Sequence, residues 1–239
     1  MDTTNTLSAK FGFYASIALT ILTIITFGFA MTAIPPSGPY CTTNCMEYPF
    51  RDLLNYYPRD YYWMYLAIFQ LFTFLIFVIS IHFSAPYEKK IFSFTSVAFA
   101  IISTTVLLAD YFIQFAVIPI SMIKGETEGI ALLTQYNGHG IFIALEELGY
   151  ITMSIALFFM APVFFTNNRL EKVIRWLLFL PLILNVLAFV AYSIQYGIDR
   201  SYRFEVASIS INWLFMISAG ISISIFFKQI IKTKLNSNE

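Results

Sequence analysis

Apolar residues in this chain do not alternate with polar ones; they run. Six stretches, at about 11–34, 61–83, 91–118, 139–165, 173–196 and 205–227, are predominantly apolar. Each reaches the roughly 20 residues that a helix needs to cross a bilayer. Short polar clusters separate them: IPPSGPY, SAPYEKK, FTNNRLEK and YGIDRSYR. Pro, Gly, Asn and charge gather there because they end helices and tolerate water. The pattern predicts an all-α polytopic membrane protein, six helices in one bundle, forming a single domain over residues 1–239. The first run lacks the small-residue exit of a cleaved leader, so it is expected to remain as the first span.

Composition sharpens this. Hydrophobic residues make up 58% and charged residues 12%, and mean hydropathy is +0.72. A soluble domain carries about 25% charge. The 26 Phe, 15 Tyr and 3 Trp suit lipid-facing surfaces and interfacial belts. With 14 basic and 14 acidic residues in balance, there is no groove of cations to track phosphates, which excludes nucleic acid as a partner. Membrane lipid is the partner implied. A small polar or amphiphilic ligand, and a homo-oligomer, are left open.

Lys and Arg set the orientation. With the N-terminus inside, Lys10, Lys89, Lys90, Arg169, Lys172, Arg175, Lys228, Lys232 and Lys234 fall on the inner face. Arg51, Arg59, Lys124, Arg200 and Arg203 fall outside. The inner excess predicts cytoplasmic termini and a plasma-membrane location. The 35–60 connection then lies outside, where a disulfide between Cys41 and Cys45 can persist. The C-x3-C spacing does not match a thioredoxin-like redox pair, and two cysteines without a nearby histidine do not make a zinc site. Residues 119–138, with Pro119, Gly125 and Gly129 around a short apolar stretch, are either an outer connector or an interfacial or re-entrant segment. Asn137 could cap the helix that follows.

Depth then locates the chemistry. With a 1.5 Å rise per residue, Glu146 lies roughly 10 Å below His139 in the fourth run, and Asp110 lies roughly 12 Å below the outer end of the third. Gln114 stands one turn above Asp110. Gln70, Asn185 and Asn212 reach comparable depth in the second, fifth and sixth runs. His82 sits alone near the inner boundary. An ionised group at mid-membrane costs roughly 2.5–3.5 kcal/mol on insertion scales. Asp110, Glu146 and Glu147 therefore cannot all face lipid, and at least one is expected to carry a proton. Helical spacing puts His139, Glu146 and Tyr150 on one face, with Glu147 turned about 100° away and free to bond a neighbouring helix. Asp110 and Glu146 are the expected cross-helix pair.

This layer predicts an outward-facing polar pocket. Its candidate substrate-binding or proton-coupling residues are Gln70, Asp110, Gln114, Tyr136, His139, Glu146, Glu147, Tyr150, Asn185 and Asn212. Binding or proton-coupled transport of a small polar or amphiphilic substrate fits best. One alternative is a membrane-embedded enzyme using carboxylate and histidine acid–base chemistry on a lipid-like substrate; another is a structural or sensory role without catalysis. No cofactor is predicted. A divalent metal on Asp110, His139 and Glu146 has a chemically suitable ligand set, but no H-x3-H, H-E-x-x-H or E-x-x-H spacing supports it. Haem ligation would need paired histidines, and His82 and His139 lie at opposite ends of the bilayer.

Overall fold

A computed structural model describes residues 3–166 and 168–236, with side chains over 7–166 and 168–233. Its long helices are α1 (Thr3–Ala30), α2 (Tyr62–Ser84), α3 (Lys90–Ala116), α6 (Ile141–Met160), α7 (Arg169–Tyr196) and α8 (Arg203–Asn236). Two short ones, α4 (Ile118–Lys124) and α5 (Ile130–Leu133), lie between α3 and α6. All six predicted runs are helical, and all six are long and apolar enough to cross a membrane. The fold is all-α, as the pattern required. Of the basic residues counted toward the inner face, Lys234 has its side chain outside the described residues.

Neighbours in sequence are neighbours in space. The bundle closes as a ring, α1–α2–α3–α6–α7–α8 and back to α1, with α6 also packed on α8. That extra contact makes α6 the helix most enclosed by the others. In the connection between α1 and α2, Cys41 and Cys45 are disulfide-bonded, with Cα atoms 5.7 Å apart.

Helix ends depart from the predicted ones for local reasons. The first helix stops at Ala30, not 34: the amides of Thr32 and Ala33 already take tighter bonds to Phe29 and Ala30, and Pro35 disfavours helical backbone before it. Pro119 ends no span; it sits in the first turn of α4, where its missing N–H costs nothing. Asn137 does not cap α6. The N-cap is Gly140, without a side-chain bond, because Asn137 turns inward to donate to Ala131 O at 2.8 Å. Helix α7 begins with a built cap instead, Asn168 Oδ1 accepting from Glu171 N at 2.8 Å. Helix α8 outlasts its apolar run and continues past Lys228 and Lys232.

Small residues set the closest helix contacts. On α3, Ser96 and Ser103 donate across to Ala156 O and Gly149 O at 2.7 and 2.8 Å, and Ala100 between them is fully buried. A Cβ at Gly149 would overlap Leu107 Cγ. The α1–α8 contact uses the same device, Gly220 lying against Thr20 and the Ser16 carbonyl. Helices in lipid gain no hydrophobic drive for pairing, so close backbone approach and these cross-helix bonds must supply it.

Gly149→Ala is therefore expected to lower the stability of the detergent-solubilised protein by ~1–3 kcal/mol, as overpacking does. In a Leu107→Ala background the same change is expected to cost much less. Thermal unfolding of the four proteins in the cycle measures the coupling; equal costs in both backgrounds would refute a steric cause.

Candidate functional site

Three buried acids from three helices meet near the disulfide end of the bundle. Asp110 comes from α3, Glu146 from α6 and Glu205 from α8, and they are 1%, 0% and 7% exposed. Glu146 Oε1 accepts from Tyr111 Oη at 2.7 Å. Tyr150 Oη lies 2.9 Å from Tyr111 Oη. The Tyr111 proton is committed to Glu146, so Tyr150 is the donor of that second bond. On its other side, the Glu146 carboxyl stands within hydrogen-bonding reach of Glu205, and Oε2 of each finds no donor on the protein. An ionised carboxylate only accepts. The two can bond only when one of them carries a proton. Asp110 is near enough for its charge to act on both, and its Oδ2 also lacks a partner.

Glu205 faces a cavity of about 370 Å³ as well. Six aromatic side chains, Phe27, Tyr40, Trp63, Phe142, Tyr202 and Trp213, share its wall with aliphatic ones. Trp213 holds several of them together. Its ring packs edge-on against Phe27 at 5.5 Å, Trp63 at 6.2 Å and Tyr150 at 6.1 Å. Glu205 is the one acid in the lining, and no Lys or Arg joins it there among the described residues. Met31, Ile34 and Tyr40, at the rim, are exposed. The cavity thus opens at the surface beside the end of α1.

A latch of buried polar groups roofs this region. Gln114 Nε2 donates to Leu133 O at 2.7 Å, and its Oε1 accepts from Gln135 N at 2.9 Å. One α3 side chain so fixes the turn after α5, and Gln135 enters the cavity wall from it. Ser37 Oγ donates to Tyr136 O at 2.6 Å and lies 2.8 Å from Tyr202 Oη, while Tyr202 Oη donates to Gln135 O at 3.1 Å. Tyr202 adopts a positive φ of 50°, and its ring is seated against Gly38 and Gly138, where any Cβ would collide with it. Burial pushes the Tyr202 phenol above its usual range, so it remains a donor at neutral pH. Tyr136 is likewise buried and its phenol pushed up, with Oη donating to Asp60 Oδ2 at 3.3 Å.

The remaining predicted residues take other places. Glu147 pairs with Arg200 at 3.2 Å, so its charge is answered from the loop before α8. Asn185 Nδ2 donates to Ser154 Oγ at 2.8 Å, and Ser154 Oγ donates to Asn212 Oδ1 at 3.1 Å. That relay ties α7, α6 and α8 together away from the cavity. Gln70 is buried on α2 with Oε1 unpartnered. His139 is exposed; its backbone N–H bonds Asn137 Oδ1, and its ring makes no hydrogen bond or ion pair with Asp110 or Glu146 among the described residues. The trio of Asp110, His139 and Glu146 is not assembled. No group of three or more His, Cys, Asp or Glu close enough to hold a metal occurs among the described residues.

Asp110 and Glu146 do approach each other, but neither lines the cavity. Glu205 connects them to it, and depth counting passes over this residue because it stands at the predicted start of the sixth run. The signal that could have found it is an acid two residues inside a helix start, beside an aromatic-rich segment. The fold and its spans define an integral, multi-pass helical membrane protein. Comparison with protein-family models, curated proteins and solved structures finds no match.

Gln114→Ala removes two buried hydrogen bonds that hold residues 133–135, each worth about 1 kcal/mol net. Amide hydrogen exchange over 130–140 is expected to accelerate by about tenfold or more, with α2 and α7 unchanged. Uniform acceleration, or none, would contradict a latch.

Proposed function

We propose that the chain binds a small amphiphilic molecule in the aromatic cavity, from the outer side of the plasma membrane, and moves it in exchange with protons. One observation carries this reading: a buried carboxyl, Glu205, stands between an apolar cavity and a second carboxyl, with no Lys or Arg in the cavity lining among the described residues. An apolar cavity with one titratable wall is good equipment for holding an apolar body beside an exchangeable charge. The exposed apolar rim suits entry from the lipid side. His139, the group that acid–base catalysis would enlist, is remote from the carboxyl pair in its contacts, so transport is favoured over the enzymatic alternative. The inner excess of Lys and Arg supports placing the disulfide end outside.

The test uses proteoliposomes with an imposed proton gradient and three fluorescent amphiphiles, anionic 1-anilinonaphthalene-8-sulfonate, neutral Nile red and cationic rhodamine 6G. At least one is expected to redistribute faster than in protein-free vesicles, only while the gradient stands. Glu205→Gln is expected to abolish that dependence. Gradient-independent behaviour of all three with the wild-type protein would overturn the transport reading.

A further inference from the structure

The cavity offers more than an apolar volume, because its charge is unbalanced. Among the nearby cations, Arg200 is tied to Glu147 and lies over the Phe189 ring at 4.4 Å. Arg203 lies over the Tyr196 ring at 4.1 Å. Neither lines the cavity. The titratable and charged groups whose fields reach this wall are Glu146, Glu147 and Tyr150 on α6, Asp110 on α3, Tyr40 and Tyr202 from the loops, and Arg203 on α8 itself. The cavity linings from α1 and α2 contribute Phe27 and Trp63 but no ionisable side chain. Acids dominate the set, and the one acid that reaches the cavity is framed by aromatic rings.

Resting on the reading above, we infer that the cavity's ligand is an amphiphilic monovalent cation, a lipophilic amine or quaternary ammonium, whose charged head takes the place of the proton shared by Glu205 and Glu146. Aromatic walls attract a desolvated cation through their ring faces, most strongly where water is excluded. They also accept its apolar body, so one surface serves both parts of such a ligand. The exchange balances in charge. The protonated pair releases one proton, the cation enters, and the pair left with one more negative charge is neutralised by it. A neutral amphiphile gains the apolar contact but displaces nothing. An anion meets the unneutralised acids of the layer.

Tetraphenylphosphonium, whose charge does not titrate, is the probe, and triphenylphosphine oxide is its neutral counterpart. Binding to the purified full chain in detergent is followed by calorimetry, and proton release by an indicator dye in weak buffer. The phosphonium is expected to bind with release of about one proton, its affinity rising by up to about tenfold per pH unit while the pair is protonated. Glu205→Gln is expected to remove both the pH dependence and the release. Binding of the oxide but not the phosphonium overturns the cation assignment and leaves the amphiphile reading standing. Binding of neither overturns both. Phosphonium binding to the wild-type protein without proton release also overturns the exchange, and this readout holds even if Glu205→Gln does not fold.

Discussion

Hydrocarbon offers no hydrogen bonds, so every polar group inside a membrane bundle must find its partner on another helix or go without. In this protein that constraint organises the interior. Ser96 and Ser103 spend their hydroxyls on α6 carbonyls. Asn185, Ser154 and Asn212 bond one another across three helices. Tyr150 and Tyr111 pass hydrogen bonds toward Glu146. Of the buried side-chain atoms left without a partner among the described residues, the carboxylate oxygens are Oδ2 of Asp110 and Oε2 of Glu146 and Glu205, and these three fall in one neighbourhood. Polar contacts between membrane helices contribute only about 1 kcal/mol each. A cluster of acids that leaves such oxygens without donors is a poor way to gain stability.

The same constraint explains the roof. Buried loop backbone is tolerated only where protein satisfies it, and residues 130–140 are held in this way by Gln114, Ser37, Asn137 and Tyr202. Tyr202 bears the most: a left-handed backbone, a ring lodged against two glycines, and a phenol shared between Ser37 and Gln135. A non-glycine residue with positive φ costs of order 1–3 kcal/mol unless its surroundings hold it there. Here they do, and the result is to set the start of α8.

That start also explains what could and could not be read from the sequence. Spans were legible because length and hydropathy alone decide them. The disulfide was legible from spacing and from the side of the membrane assigned to its loop. Glu205 was not. Depth was counted from the predicted end of each apolar run, and Glu205 was itself that end, one charge among several in YGIDRSYRFE. The turn at Ser201 and Tyr202 brings Glu205 level with Glu146 although it is only two residues into its helix, whereas Glu146 is five into α6. The difference is about one helical turn of insertion, and no periodicity encodes it. His139 failed in the opposite sense. Sharing a helical face with Glu146 in projection placed it with the acids, but it precedes the helix, and the turn at Gly140 carries it to the surface.

Glu205 has two faces, and the function proposed depends on their being joined in one carboxyl. Toward the interior it meets Glu146, itself wholly buried and bonded on its other side by Tyr111. Toward the exterior it meets the cavity. Tyr150 in turn bonds the Trp213 indole, whose N–H only donates and so cannot take up a proton leaving the pair. The route through Glu205 into the cavity is the short one. Proton and ligand then share a single opening, and each must wait for the other to vacate it. Exchange follows from that shared doorway without any large rearrangement at the acids themselves. Movement of the ligand to the far side needs more, and the place to look for it is the contact of α8 with α1, the two helices beside the cavity's rim.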